Sequence, residues 1–209
     1  MRKYILGAFA LLTAMLLASC GAEEKNVCRI HGTVEDARLN DKQIFLVPLE
    51  NNTAEAVDSV YIKEGIFEFV TDTCHMAQII MDYHYRDGVQ RLLVVTEPGD
   101  LYVTIGRVSS AKGTAGNDSL EVWKKATEQH TREMGTLRQA AREMAKTDTV
   151  RANRLMAQSD SIHQAYKHYT RELAAHLKEG AVHEFLKSLY PTSYPKRMPD
   201  GTVVTVYDE

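Results

Sequence analysis

Cysteine is scarce in this chain: three in 209 residues, Cys20, Cys28 and Cys74, with no C-x-x-C pair among them. A thioredoxin-type redox motif is therefore excluded. The eight histidines make no H-x-x-x-H or H-E-x-x-H pattern, the spacing that brings two imidazoles onto one zinc ion from one helix. No metal and no cofactor are expected. No glycine-rich phosphate loop and no nucleophile elbow is present. Positive charge is also in short supply. Lys and Arg number 25 against 28 Asp and Glu, for a formal charge of −3, which speaks against nucleic acid as a partner. Beyond the first nineteen residues no segment approaches the about 20 apolar residues that span a bilayer.

What the chain does have begins at its N-terminus. Arg2 and Lys3 precede an apolar run from Ile5 to Ala18, interrupted at Gly7 and Thr13. That is the charged region and hydrophobic region of a secretory signal. It closes on Leu17-Ala18-Ser19-Cys20, which resembles a lipobox. The resemblance implies cleavage before Cys20 and acylation of its thiol, each buried methylene contributing about 0.8 kcal/mol of anchorage. Removing residues 1–19 takes away two cations and no anion, so the mature chain carries −5. Residues 20–26 read as a lipidated tether. The Glu23-Glu24 pair within it resembles the export signal of Bacteroidetes surface lipoproteins. The membrane is thus a partner through the lipid. The expected location is the outer membrane, with the outward face favoured over the periplasmic one.

Residues 27–113 read as β. Candidate strands are 27–35, 43–49, 56–63, 66–72, 77–84, 89–96 and 101–106, with period-two alternation clearest in Ile66–Val70 and Leu101–Ile105. Turn residues separate them: Asn40-Asp41, Asn51-Asn52, Glu64-Gly65, Asp87-Gly88 and Pro98-Gly99-Asp100. An antiparallel β-sandwich is predicted. At Asn117 or Asp118, either able to cap a helix, the period becomes helical. Leu120, Trp123, Thr127, His130, Met134, Leu137, Ala141 and Met144 form one stripe over 118–146. Leu155, Ser159, Ile162, Tyr166, Tyr169, Leu173 and His176 form another. Thr147-Asp148-Thr149 lies between them, and Gly180 is a natural stop. Residues 114–190 are thus an antiparallel helical hairpin plus a short helix over 181–189, ended by Pro191. Residues 191–209 form an extended tail with one strand-like run, Thr202–Tyr207. The class is α+β.

The β region resembles a domain of unknown function found in Bacteroidetes lipoproteins. Ile30-His31-Gly32-Thr33-Val34, Asp58-Ser59 and Gly65-Ile66-Phe67-Glu68-Phe69 carry the likeness, with Glu97-Pro98-Gly99-Asp100 and Gly113-Thr114-Ala115-Gly116-Asn117. It covers about 27–120. In that family the domain often precedes a thioredoxin-like domain of the alkyl hydroperoxide reductase and thiol-antioxidant type. No redox cysteines follow here, so thiol chemistry is not carried over. The motif residues themselves read as turn and packing positions.

Cys28 and Cys74 remain as candidates for a disulfide, with two free thiols as the alternative. Glu68, Asp72, Glu97 and Asp100 can approach one another if their strands pair. Tyr83 and Tyr85 flank a hairpin and are candidates for facing a sugar or peptide ligand. The first helix is long for the sheet it would cross. Met134, Leu137, Met144, Leu155 and Ile162 in its far half, or opposite it, therefore contact either the other helix or a protein partner. The reading that follows is a non-enzymatic binding or scaffold lipoprotein with an envelope protein as partner. An accessory of an envelope thiol-redox or nutrient-uptake system, and a surface carbohydrate-binding protein, are the alternatives.

Overall fold

The computed structural model describes residues 26–51, 53–81 and 91–207. Cys20, Tyr83, Tyr85 and the Asp87-Gly88 turn lie outside these. Strands β1 (Cys28–Val34), β4 (Ile66–Thr71), β7 (Gly99–Ile105) and β8 (Ser110–Lys112) form one sheet, in the order β4-β1-β7-β8. Strands β2 (Gln43–Pro48), β3 (Asp58–Tyr61), β5 (Met76–Met81) and β6 (Leu92–Val95) form the other, in the order β3-β2-β5-β6. The chain passes between sheets repeatedly. One consequence departs from the all-antiparallel expectation: β1 and β7 pair in parallel. Parallel neighbours need a long crossover, and the whole stretch from β2 to β6 supplies it. Short β8 carries no alternation that a sequence window can resolve, and it is absent from the predicted strands.

The two sheets close on one apolar core. Ile30, Phe67, Phe69, Leu101, Val103 and Ile105 from the first sheet meet Ile44, Leu46, Ile79, Leu92 and Val94 from the second. Alternation decides which side chains enter: β1 buries Cys28, Ile30, Gly32 and Val34 in strict period two. Gly32 sits in this inward set because the Phe67 ring occupies its place; a Cβ there would lie 2.0 Å from Phe67 Cζ. At the Glu64-Gly65 turn both residues have positive φ, 53° and 75°. Lys63 and Ile66 exchange two 2.9 Å backbone bonds across it, the geometry of a tight hairpin turn.

Helix α1 (Ala115–Met144) and helix α2 (Thr149–His176) form the predicted hairpin, and α3 (Ala181–Leu189) follows. Asp148 caps α2, accepting from Arg151 N at 2.9 Å. The start of α1 differs from expectation. Neither Asn117 nor Asp118 is the cap; the helix opens three residues earlier, and Glu97 accepts from Gly116 N at 2.5 Å and from Asn117 N at 3.3 Å. A carboxylate at a helix N-terminus satisfies orphan donors and the helix dipole together. Gly180 likewise does not end α2, which closes on Leu177; it stands before α3 instead.

Asn117, Glu121 and Lys124 share one stripe of α1 and fasten it to both sheets. Asn117 Nδ2 donates to Val95 O at 2.7 Å and its Oδ1 accepts from Val95 N at 3.0 Å. The side chain thereby imitates a neighbouring strand on the open edge of β6. Lys124 donates to Leu93 O at 3.1 Å on the same edge, and Glu121 accepts from Ala111 N at 3.0 Å on β8. Lys124 also pairs with Glu121. Unpaired strand edges invite wrong partners; here the first turns of α1 cover one edge of each sheet. A second apolar cluster seals the junction, with Met76, Leu93 and Val95 against Leu120, Trp123, Leu173, Ala174, Val182, Phe185 and Leu186.

Past Trp123 on α1 and before Leu173 on α2, the hairpin leaves that cluster. Some twenty residues of α1 continue, about 30 Å of helix, with their seam set against α2. This segment is an arm. The region read as an extended tail is instead a folded antiparallel hairpin, β9 (Ser193–Arg197) with β10 (Val203–Tyr207). Its turn needs Gly201 at φ 87° and is closed by Gly201 N donating to Met198 O at 2.9 Å. Prolines in the first half masked the strand pattern there.

Candidate functional site

The outer face of the first sheet carries the most organised group of polar side chains on the described surface. The same alternation that sends Ile30 and Leu101 inward sends Arg29, His31, Asp100 and Tyr102 outward. Register then aligns them: His31 lies beside Glu68 on β4 and beside Tyr102 on β7, while Arg29 lies between Val70 and Asp100. His31 Nε2 is 3.0 Å from Asp100 Oδ1, and its Nδ1 is 3.5 Å from Glu68 Oε1. The His31 and Tyr102 rings stack at 5.4 Å.

Hydrogen bonding to Asp100, opposed by desolvation and reinforced by Glu68, raises the His31 pKa above its ordinary 6.5. The two carboxylates favour the protonated form of the ring. The cations Arg29 and Lys112 share this face with the two carboxylates of Glu68 and Asp100. The free lone pairs of the carboxylates accept hydrogen bonds from hydroxyl or ammonium groups. Tyr102, 60% exposed, offers a flat ring beside them, and exposed Ile66 and Val70 give apolar margins. Among the described residues no group of three or more His, Cys, Asp and Glu is arranged to hold a metal ion.

Of the four carboxylates that pairing was expected to bring together, Glu68 and Asp100 do converge, on His31. Glu97 is spent on the α1 N-terminus. Asp72 lies just past the end of β4, outside the row.

Cys28 and Cys74 are free thiols rather than a bridge. The cause is direction: Cys28 faces the core from β1, whereas Cys74 sits exposed in the β4–β5 connection. Burial, then Glu97, Cys74 and Asp100, pushes the Cys28 thiol up to about 11, and burial with Glu97 raises that of Cys74. Neither is a ready thiolate at neutral pH.

In the arm, Met134 is buried, and Leu137, Met144, Leu155 and Ile162 are half-buried. The helices cover each other's seam, so these five residues form no exposed stripe. Near the Thr147 turn the exposed large apolar side chains are Val150 and Met156. Much of the seam is polar: the Thr127 and Tyr166 hydroxyls bond to each other, Arg138 Nε donates to Ser159 Oγ at 3.2 Å, and His163 meets His130.

In the sequence Ile30–Val34 reads as a turn and packing motif and Leu101–Ile105 as an alternating strand, and neither singles out His31 or Tyr102. A histidine and a tyrosine at outward positions of alternating strands were a visible signal. Their convergence was not, because it depends on β1 pairing with β7 in parallel across about seventy residues.

No curated protein matches the chain. Residues 28–120, which comprise all eight sandwich strands and the first turns of α1, match the model of a family described as a domain of unknown function (DUF4369).

Proposed function

We propose that this protein is a non-enzymatic binding module, held on the outer membrane by a lipid on Cys20, and that the outer face of its first sheet is the binding surface. One observation carries the reading: His31, Glu68, Asp100 and Tyr102 form an ordered polar and aromatic row left open to solvent. Ordered side chains on an open sheet need no rearrangement to bind, which spares part of the entropic cost of association. The lipobox-like Leu17–Cys20 supports the anchor, and the signal before it supports export. The burial and raised pKa of Cys28 weigh against a thiol-redox accessory. The five arm residues remain secondary as partner contacts, since their seam is occupied by the opposite helix.

The experiment is site-specific photocrosslinking in intact cells, with the photoreactive group at position 102 or at position 150 on the arm. Adducts to an envelope component from 102 and none from 150 are expected. Adducts from 150 alone would return the contact role to the arm. In the same cells Cys20→Ser is expected to abolish lipid labelling.

A second reading, carbohydrate capture, is favoured by the Tyr102 ring lying beside two carboxylates, which suits stacking of a sugar ring with hydroxyl donation to Asp100 or Glu68. Glycan-array binding that disappears in Tyr102→Ala would select it.

A further inference from the structure

Two histidines separated by 33 residues meet across the seam of the arm: His163 Nδ1 lies 3.4 Å from His130 Nε2. Both rings are held in place. His130 stacks on Tyr166 with centroids 4.0 Å apart and planes 8° apart. Tyr166 is itself buried and bonded to Thr127. The ring of His163 meets that of Tyr190 edge-on at 6.0 Å. Zinc–nitrogen bonds of about 2.0–2.1 Å at tetrahedral angles set two ligating imidazole nitrogens about 3.3–3.4 Å apart. The pair already has that separation.

We propose that His130 and His163 together bind a divalent transition-metal ion, zinc by chemistry, which bridges the two helices of the arm. Burial, with His163 and Arg138 adding to it and Glu133 opposing, lowers the His130 pKa. That shift favours the neutral ring, the form that offers a lone pair. In the metal-free pair the two nitrogens share one proton. On ligation that proton moves to the other nitrogen of the same ring, so the protein gains and loses none. Both rings are only half-buried, and water fills the remaining coordination positions. Imidazole donors suit zinc, copper and nickel rather than magnesium or calcium. The groups around the pair are Arg138 and Glu133 on α1, Tyr166 on α2 and Tyr190 after α3. Arg138 is an unfavourable neighbour, and its guanidinium is directed to Ser159.

The single-helix spacing rules missed this site because its ligands come one from each helix. The proposal is independent of the sheet-face reading and fails separately from it.

The test is thermal unfolding of the full chain with zinc chloride, each variant compared with its own metal-free melting temperature. Saturating zinc is expected to raise the wild-type value by about 5 °C. The rise should vanish in His130→Gln and in His163→Gln and persist in His168→Gln, which alters an exposed histidine of α2. Cobalt in place of zinc should give a visible absorption band in the wild type that both seam variants lose. No rise in the wild type, an equal rise in the two seam variants, or an equal rise with magnesium would each overturn the site.

Discussion

The sandwich and the arm are both built from two packed layers, yet they are held by different chemistry. In the sandwich, large aliphatic and aromatic side chains from facing sheets fill the space, and the fully buried set includes Ile30, Ile44, Phe69, Ile79 and Leu101. In the arm the buried positions on α1 and α2 are Met134, Ala141, Ala152, Ser159, Tyr166 and Thr170. Small and polar residues let two helices approach closely, but they remove little apolar surface from water. Burial stabilises at about 25 cal/mol per Å², so the sandwich is the stable body. The arm depends on hydrogen bonds and ring stacking, which contribute about 1 kcal/mol each. Two helices without a third layer are close to the limit of what such contacts sustain.

Truncating one core residue in each region tests that difference most strongly. Phe69→Ala is expected to cost about 3–5 kcal/mol, and global unfolding in denaturant would measure it. Met134→Ala should cost about 2 kcal/mol and appear mainly as faster amide exchange along the arm. Equal global losses would mean that arm and sandwich unfold as one unit.

Asn117 sits where the two regions join, and its replacement sharpens where the boundary lies. Asn117→Ala leaves the Val95 N–H and C=O buried without their partners. A loss of about 2–3 kcal/mol is expected, with exchange rising on β6 and in the first turns of α1. An effect confined to the arm would show that α1 is not needed to close the sheet edge.

Acid separates the regions with the smallest effect and with opposite signs. The His31 pKa lies above 6.5 in the folded chain because of Asp100. Its contribution is full below 6.5 and is lost as pH rises through the folded value. The side chain is 38% exposed, so solvent screening keeps the contribution under about 1 kcal/mol. His130 is shifted the other way by burial. Its contribution is present above 6.5 and is lost as pH falls through the folded value. Between pH 7.5 and pH 5, amide protection factors, with the intrinsic pH dependence of exchange divided out, should rise slightly on β1 and fall in the arm around His130. Parallel changes in both regions would contradict this assignment.

Local pattern made most elements legible. Five of the eight sandwich strands fall within about two residues of their candidate runs, and β5 and β6 overlap longer ones. The unread strand is β8, three residues long, and the unread half of the C-terminal hairpin is the proline-bearing β9. The helices were found through their stripes, and the α2 cap, Asp148, lies within the Thr147–Thr149 segment that separates those stripes. The α1 cap was not legible, because Glu97 reaches it from a different element. Position 117 looked like a cap, and the residue proved to be an edge partner for β6. An asparagine near a helix start has both uses, and only the strand placed beside it decides.

Order along the chain therefore settled most of the elements, through the alternating runs of the strands and the stripes of the two long helices. These are properties of neighbours one to four residues apart, where backbone geometry alone assigns direction. Tertiary structure decided the parallel β1–β7 pair, the row of Glu68, His31 and Tyr102 with Asp100, the separation of Cys28 from Cys74 and the meeting of His130 with His163. Each depends on register between segments tens of residues apart. A shift of one residue would turn every side chain of a strand to its other face.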